Sequence, residues 1–486
     1  MISKELLDKY EMTIGIECHV QLSTKTKLFS GVDNDARDKE PNAVVSPVDY
    51  ALPGMLPVLN KKAVDYAIKA GLAMGSSINL TSRFDRKHYF YPDLPKGYQI
   101  SQMYQPIIGP GEVFVIDPES KEEKIVRIEH AHLEEDAGKL THFGGYSLVD
   151  LNRAGTPLIE IVSMPDIHSA AVAKAYVVEL HRLMTYAGVT NGDLYHGNMR
   201  FDVNISVALK GADKLGTRAE VKNLNSFRSV ERAAEYEFER QIKLLEQGER
   251  IVQETRGWSD AKGKTSSQRS KEEAQDYRYM PDPDIPPVVL TNEIVDEFRD
   301  KLPVMPREYR AKWSKLGLDG SVVESILDNQ DLAIELTAVM NEAGDSAATK
   351  VAHWFTGVLL SEDGANLNRK RISTRDLVEL AGMVEDGELS STAGKDVFVR
   401  LFEQDSIGKK PRDIAKEANL IQVNDEGEIE GIIAEVLAIP ESAQAVADVK
   451  SGEMKAIGFL VGQVMKKSQG KANPATVNKI IQDKLR

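Results

Sequence analysis

Apolar and polar residues alternate strictly in several short segments of the first 290 residues. In TIGIECHVQL (13–22) every second side chain is apolar, which predicts a strand with one buried face and places Cys18 in the core. RFDVNISV (200–207) and RAEVK (218–222) repeat the pattern. The polar sides of these three predicted strands carry Glu17, His19, Gln21, Arg200, Asp202, Asn204, Ser206, Arg218, Glu220 and Lys222.

Two helices are predicted among these strands. Ser169 can cap a helix that ends at Gly188, and Ser226 can cap a second helix that ends at Gly248. Strands and helices do not alternate in the regular order of a doubly wound sheet. We therefore expect an α+β domain whose sheet is mainly antiparallel.

The proline-rich segment YMPDPDIPP (279–287) disfavours regular structure and suggests a domain boundary near residue 290. Beyond it the apolar period is helical, with Thr291, Ser373 and Ser391 as candidate caps. The predicted domains are 1–290, an α-helical domain at 291–405, and a small α-helical tail domain at 406–486.

Composition is that of a globular protein, with 42% hydrophobic and 28% charged residues among 486. No apolar run is long enough to span a membrane, and the polar start MISKELLDKYEM has no apolar signal core. A single cysteine excludes an internal disulfide and a multi-cysteine zinc site. A cytoplasmic protein is the simplest expectation.

The net charge of −14 argues against a chain covered by nucleic acid along its length. Residues 450–486 differ, because eight Lys/Arg and two acidic residues give them a net charge of +6. Such a basic end can bind phosphate groups, or it can be a solvated helical tail.

Charged side chains of both signs share the predicted polar sheet face. Glu17 and His19 leave the same side of one strand, roughly 7 Å apart, so both could approach one ion. Carboxylates hold Mg²⁺ while Arg and Lys hold phosphate oxygens, so the face suits metal and phosphate binding. A solvent-exposed sheet with cross-strand ion pairs explains the same pattern.

Two further carboxylate positions are unusual. HLEEDAGK (132–139) places Glu134, Glu135 and Asp136 side by side, either in an exposed acidic turn or facing a cation. Glu160 lies within the apolar run of GTPLIEIVSMPD (155–166), either pointing outward on an edge strand or acting as a metal ligand.

The segment FDRKHYFYPDLPKGYQISQ (84–102) combines aromatic, basic and proline residues, which suits a stiff nucleotide- or RNA-binding loop or a packed connection. The chain has no dinucleotide fingerprint, no P-loop and no Gly-x-Ser-x-Gly elbow. Hydrolysis through a serine or cysteine nucleophile is therefore not expected.

Several long motifs, in order along the chain, resemble the B subunit of the aspartyl/glutamyl-tRNA(Asn/Gln) amidotransferase. They are GIECHVQL, FDRKHYFYPDLPKGYQIS, HLEEDAGK, VDLNRAGTPLIEIVSMPD, GNMRFDVNISV, RSKEEAQDYRYMPDPDIPP and, near the C-terminus, KAIGFLVGQVMKKSQGKANPATVN. The resemblance implies a glutamine-synthetase-like cradle domain at the N-terminus, followed by a helical domain and a tail that contact tRNA.

The resemblance also implies a function. With ATP and Mg²⁺, proteins of this family phosphorylate the side-chain carboxylate of Glu-tRNA(Gln) or Asp-tRNA(Asn), and ammonia then displaces phosphate. The ammonia comes from an amidase (glutaminase), the A subunit, and a small bridging protein, the C subunit, makes up the heterotrimer. Two alternatives stay open: an ATP-dependent ligase acting on a free small carboxylate, and a non-catalytic tRNA-docking scaffold.

The family's motifs carry over to particular residues of this chain. Those expected to act in catalysis and bind metal are Glu17, His19, Glu134 and Glu160, with Glu135 as a further metal candidate. Those expected near ATP or the aminoacyl end are Arg86, Lys87, Tyr89, Tyr91, Lys96, Arg200, Asp202 and Lys222. The tRNA is expected to contact Lys466, Lys467 and Lys471.

The chain departs from the family pattern in the loop after the first strand. Many members carry four zinc-binding cysteines there, and this chain has Ser30, Val32, Ser46 and Asp49 instead. These side chains do not supply the sulfur and nitrogen ligands that a structural zinc ion needs. We therefore expect no zinc, and a loop held by its own packing.

Overall fold

The computed structural model describes residues 3–270, 276–361, 373–422, 426–468 and 472–485. Of the residues singled out above, Lys471 lies outside these ranges. The chain divides into two compact units, Met1–Arg307 and Glu308–Arg486. None of the helices within the described ranges is both long and apolar enough to span a membrane.

All strands of the described residues lie in the first unit. They are β1 (Tyr10–Gln21), β2 (Thr81–Ser82), β3 (Asp85–His88), β4 (Tyr98–Ser101), β5 (Gly111–Ile116), β6 (Glu123–Glu135), β7 (Lys139–His142), β8 (Ser147–Asp150), β9 (Pro157–Ser163), β10 (Met199–Leu209), β11 (Ala219–Leu224), β12 (Glu254–Ser259), β13 (Lys264–Ser270), β14 (Met280–Pro281) and β15 (Val288–Val289).

Helices are few in the first unit and form the second unit. They are α1 (Lys4–Lys9), α2 (Lys61–Ala73), α3 (Ala170–Tyr186), α4 (Phe227–Glu246), α5 (Asn292–Asp300), α6 (Pro306–Trp313), α7 (Gly320–Leu327), α8 (Gln330–Trp354), α9 (Thr374–Glu385), α10 (Ser391–Arg400), α11 (Pro411–Glu417), α12 (Glu426–Ala438), α13 (Ala443–Lys450), α14 (Ile457–Lys467) and α15 (Pro474–Leu485).

An eight-stranded sheet forms the centre of the first unit, in the order β13-β12-β11-β10-β1-β9-β6-β5. Every neighbouring pair is antiparallel except β11 and β12, which run parallel. The predicted α+β class with a mainly antiparallel sheet is confirmed.

The predicted alternation of β1 is confirmed residue by residue. Ile14, Ile16, Cys18 and Val20 are at most 1% exposed. Helices α2, α3 and α4 pack on the sheet and cover this apolar face. Each aliphatic side chain that is buried there contributes roughly 1.5–3 kcal/mol to folding. The opposite face keeps the polar side chains of β1 together.

Helix caps follow the sequence closely. The side chains of Ser169, Ser226, Thr291 and Ser373 each accept a hydrogen bond from a backbone N–H in the first turn, as predicted. The fifth prediction is wrong by one residue, because Ser390 caps α10 and Ser391 is its first helical residue. Both positions are serine, so the pattern could not separate them.

The aromatic and basic segment 84–102 contains an antiparallel hairpin of β3 and β4. The proline-rich segment that follows residue 278 has more structure than predicted, because β14 pairs with β3 and β15 pairs with β2. Each pairing is two residues long, and β14 lies at the edge of its sheet, where proline is tolerated.

In the second unit, α8 packs on α7 and α9, and α11 packs on α9 and α10. Helices α12, α13, α14 and α15 enclose a separate apolar core that includes Ile433, Leu460, Val464 and Ile481. Boundaries at residues 290 and 405 stay predictions.

Candidate active site

The antiparallel register of four neighbouring strands gathers the charged side chains on one sheet face. His19 of β1 lies opposite Glu160 of β9 on one side and Arg200 of β10 on the other. Glu160 in turn lies opposite His132 of β6. Because β9 lies between β1 and β6, Glu160 is on an interior strand, and its interpretation as an edge-strand residue is wrong.

Two imidazoles and two carboxylates converge in what we name the histidine–carboxylate cluster: His19, His132, Glu134 and Glu160. Nε2 of His19 lies 3.6 Å from Oε1 of Glu134 and 3.5 Å from Oε2 of Glu160. Nε2 of His132 lies 3.5 Å from Oε2 of Glu160 and 3.8 Å from Oε2 of Glu134.

These distances resemble the spacing of metal ligands. They exceed normal hydrogen-bond lengths of about 2.7–3.2 Å. Ligands that bind one divalent ion at about 2.0–2.2 Å lie roughly 3–3.5 Å apart. The ligand atoms of His19, Glu134 and Glu160 all lie within 4.8 Å of one another, so these three residues fit a single cation.

The cluster carries strongly perturbed protonation equilibria. Burial disfavours the charged form of His19, but the carboxylates of Glu160, Glu134 and Asp202 outweigh it and raise its pKa to about 9. Burial alone would raise the pKa of Glu160. The neighbouring side chains of His132, His19 and Lys87 stabilise the carboxylate more strongly, so the pKa of Glu160 is lowered. Carboxylate and imidazolium therefore hold each other in the charged form.

A second acidic group lies beside the first. Glu17, Asp202 and Glu220 bring their carboxylates within 4.8 Å of one another. Burial, followed by repulsion from Glu160, Asp202 and Glu220, raises the pKa of Glu17. Nζ of Lys222 already lies 3.2 Å from Asp202 and 3.0 Å from Glu220. The group could therefore hold a cation, or its charge can be balanced by Lys222.

The three adjacent carboxylates of HLEEDAGK do not form an exposed turn. Glu134, Glu135 and Asp136 are 3%, 2% and 8% exposed, and the first two end β6. Glu135 points away from the cluster, accepts hydrogen bonds from Lys96 Nζ at 2.6 Å and from the Ile100 N–H, and so is not gathered with the other metal candidates.

A cleft of about 410 Å³ opens over the cluster. Of the residues expected near ATP or the aminoacyl end, five line it: Lys87, Tyr89, Arg200, Asp202 and Lys222. Arg200 donates to Asp136 at 3.0 Å, and this carboxylate raises the Arg200 pKa. Burial opposes the charged form of Lys87, yet Glu134 and Glu160 raise its pKa, so its ammonium group persists at the cleft.

The other three expected residues lie elsewhere. Arg86 binds Asp282 at 2.8 Å and Asp284 at 2.6 Å and stacks on Tyr98, so it ties β3 to the proline-rich segment. Tyr91 is 53% exposed in the β3–β4 loop. Lys96 is engaged by Glu135 on the reverse face.

The loop without cysteines is held by a buried ion pair. Nζ of Lys27 lies 2.9 Å from Oδ2 of Asp49, and their side chains are 0% and 3% exposed. The same carboxylate oxygen accepts from the Ser46 N–H, and the Asp49 N–H donates to Ser46 Oγ. Val32 takes part through its carbonyl, which accepts from the Lys27 N–H, while Ser30 Oγ is buried.

Of the basic residues expected at tRNA, Lys466 and Lys467 are exposed at the end of α14. Lys467 forms an ion pair with Glu435 of α12. The ammonium groups of Lys466 and Lys467 therefore lie in different electrostatic environments.

Sequence reasoning missed His132 and did not include Glu220 among the metal candidates. His132 is two residues before Glu134 on the same strand, so alternation alone could have placed both on one face. Glu220 approaches Glu17 across β10, through an irregular β10–β11 register that no sequence pattern indicates.

Comparison with known families matches almost the whole chain. Residues 12–296 match the GatB/GatE catalytic domain, and residues 336–485 match the GatB domain. Proteins named as the B subunit of aspartyl/glutamyl-tRNA(Asn/Gln) amidotransferase share 46% identity in Persephonella marina, 47% in Alkalilimnicola ehrlichii and 44% in Thermotoga maritima. The alignments cover 98% of this chain in each case and 100%, 99% and 99% of the respective relatives.

Matches of this length and identity extend across both units, from the strand that carries Glu17 and His19 to the last helix. The chain belongs to the GatB/GatE family and, within it, to the aspartyl/glutamyl-tRNA amidotransferase B subunits.

Proposed function

We propose that this chain uses ATP to phosphorylate the side-chain carboxylate of Glu-tRNA(Gln) or Asp-tRNA(Asn), and then joins ammonia to it. Making a carbon–nitrogen bond in this way is ligase chemistry. The observation that carries the proposal is the cleft over the histidine–carboxylate cluster, where side chains of both signs surround one space.

The reaction follows from a chemical difficulty. A carboxylate is a poor electrophile, so an oxygen of the substrate side chain attacks the γ-phosphorus of ATP and ADP leaves. Ammonia then attacks the carbonyl carbon of the resulting acyl phosphate, phosphate leaves, and the amide remains after loss of a proton. Neither step needs a nucleophile from the protein, which agrees with a buried, inert Cys18.

Phosphoryl transfer is mostly a matter of positioning and charge neutralisation. We assign the cationic side chains of Lys87, Arg200 and Lys222 to the phosphate oxygens and the substrate carboxylate, because all three line the cleft. Their pKa values are all raised, so they stay charged at neutral pH. Tyr89 would close the cleft beside them.

His19, Glu134 and Glu160 would hold Mg²⁺, and Glu17, Asp202 and Glu220 could hold a second ion. An Mg²⁺ ion held by these side chains would supply positive charge to offset the charge of the phosphate oxygens. His132 would orient Glu134 and Glu160 from the side opposite His19.

The wider assembly is also a proposal. Because the relatives are named as B subunits, we propose that an amidase, the A subunit, supplies ammonia and that a small C subunit links the two in a heterotrimer. We place the reaction in the cytoplasm, where aminoacyl-tRNA is made. Lys466 and Lys467, together with Lys471, would contact the tRNA.

The test uses the assembled heterotrimer with Mg-ATP, ammonium chloride and Glu-tRNA or Asp-tRNA, and it measures amide on the tRNA and ADP. Ammonium chloride bypasses the amidase. Glu17→Gln should abolish amide formation while glutamine hydrolysis by the partner persists. Glu11→Gln is the matched control, because Glu11 lies on the same strand outside both acidic groups.

Each outcome separates the alternatives. Amide with matching ADP, lost only in Glu17→Gln, supports the proposal. Product with a free amino acid and no tRNA would identify a small-carboxylate ligase. Binding of both tRNAs without ADP or amide would leave a docking scaffold.

A further inference from the structure

A second, larger pocket lies beside the catalytic cleft and has no part in the chemistry described above. Its volume is about 640 Å³, within the range of small-ligand sites. Three segments wall it: the loop after β1, the loop before β10, and the β7–β8 hairpin with the residues that follow it. All three belong to the first unit.

Two observations show that the pocket adjoins the catalytic cleft. Gln21 lines the pocket and lies two residues from His19 on the same face of β1, roughly 7 Å along the strand. In addition, Asp136 of the cleft accepts a hydrogen bond from Arg200 at 3.0 Å and forms an ion pair with Arg153, a pocket residue, at 3.1 Å. A molecule in the pocket could therefore extend a short arm to the cluster.

Buried amides form the walls. Asn152 is 3% exposed, donates to the Glu40 carbonyl and accepts from the Val44 N–H. Asn198 is 8% exposed and bonds to Gln21 and to the Asp193 N–H. These bonds fix the shape of the pocket in advance of any ligand.

Side chains of both signs line the pocket: the cations are Lys25, Arg37, Lys139 and Arg153, and the carboxylates are Asp33, Asp35 and Asp150. Arg37 forms an ion pair with Asp35, in which Nη2 lies 2.7 Å from Oδ2. Lys25 and Lys139 are exposed, and among the residues that the structure describes neither has a carboxylate within ion-pair distance. Two uncommitted ammonium groups beside an amide-walled pocket can neutralise one phosphate group.

Exposed aromatic rings stand on the same segments. Phe143 and Tyr146 stack at 5.0 Å on the tip of the β7–β8 hairpin and are 49% and 62% exposed. Tyr195, in the loop before β10, is 93% exposed. Exposed rings beside a cationic pocket are the usual means of binding single-stranded nucleic acid.

We propose that this pocket binds the 3′-terminal adenosine of the aminoacyl-tRNA, with Lys25 and Lys139 at its 5′-phosphate. The inference rests on the proposed function. The side-chain carboxylate of the aminoacyl group must reach the histidine–carboxylate cluster while the same amino acid stays esterified to the terminal ribose of the tRNA. The spacing from Gln21 to His19 along β1 is comparable to the length of an esterified glutamate.

The test measures the affinity of the assembled protein for two RNA hairpins, one ending in CCA and one lacking the terminal A. The wild type should bind the CCA hairpin more tightly. Lys25→Ala/Lys139→Ala should weaken CCA binding, remove most of this discrimination, and lower the salt slope by about one for each phosphate that is no longer neutralised. Lys262→Ala, which removes an exposed charge from the β12–β13 turn, should behave as wild type.

Discrimination at the wild-type level in the double variant would overturn the inference. The inference would also be overturned if the double variant fails to assemble with its partner proteins but still distinguishes the two RNA hairpins, because the pocket would then be a protein interface. If the wild type forms amide and the variant keeps the wild-type KM for aminoacyl-tRNA, only this inference fails. If the wild type forms no amide and binds neither RNA, the proposed function fails with it.

Discussion

Removing one partner of the buried pair Lys27–Asp49 should strongly destabilise the loop that lacks zinc ligands. The two side chains are 0% and 3% exposed, and Asp49 also accepts from the Ser46 N–H at 2.8 Å. Gly155 lies so close that a Cβ there would meet Asp49 Oδ1 at 2.5 Å. Packing this tight leaves no room for water to solvate either charge alone.

The size of the effect follows from which partner remains. Lys27→Met leaves a buried carboxylate, Asp49→Asn leaves a buried ammonium group, and each change should cost about 3–5 kcal/mol. The double variant keeps the acceptor for Ser46 and fills the volume of the lysine stem. It should therefore lie within about 1 kcal/mol of the wild type, which corresponds to a coupling energy of roughly 5 kcal/mol or more between the two positions.

The assay is hydrogen exchange of peptides from residues 24–60. It measures the free energy of local opening of the loop and does not assume two-state unfolding of the whole chain. Both single variants should exchange faster in this region, and the double variant should exchange nearly as slowly as the wild type. Single variants without effect, or a double variant as labile as the sum of the two, would refute the reasoning. One zinc per chain, with faster exchange after chelation, would refute the expected absence of zinc.

Three further outcomes test the site and the tail. Glu135→Gln should destabilise the first unit by about 3–5 kcal/mol, because it leaves the buried ammonium group of Lys96 without its carboxylate. The same variant should keep the wild-type affinity for Mn²⁺ in calorimetry, whereas Glu134→Gln should abolish that affinity. A metal ion binds the neutral imidazole, and His19 is protonated below its pKa of about 9. The affinity for the cation should therefore rise about tenfold per pH unit for each imidazole that binds it, and level off above pH 9. Lys466→Ala should lower the salt slope of tRNA binding by about one, and Lys467→Ala by less, because an acidic neighbour already pairs with it.

Local patterns predicted much of this fold because they act over a few residues. Period-two alternation placed the buried and polar sides of β1 correctly, and short polar residues before apolar runs marked four helix starts. Both signals depend only on the direction in which neighbouring side chains point. The single error among the caps arose where two serines are adjacent.

The order of strands could not be predicted in this way. Strands β1, β9 and β6 are distant in sequence, yet their pairing decides that His19, Glu160 and His132 meet. A slip of one residue in either register would turn every side chain of a strand to the other face. Family resemblance supplied candidate metal residues, but it did not divide them into two acidic groups.

HLEEDAGK illustrates how three adjacent carboxylates avoid repelling one another. Glu134 and Glu135 point to opposite sides of β6, and Asp136 follows the end of the strand. Glu135 is neutralised by Lys96, and Asp136 by Arg153 and Arg200. These contacts are structural ion pairs.

Glu134 differs from its two neighbours, because its closest cationic partners are the imidazoles of His19 and His132. An imidazole can lose its proton and bind a metal through the freed lone pair, which an ammonium or guanidinium group at neutral pH does not do. A buried carboxylate that faces titratable cations can therefore exchange protons for a metal ion. On this physical ground, rather than on its position in a motif, Glu134 is the member of the acidic run best suited to bind the metal.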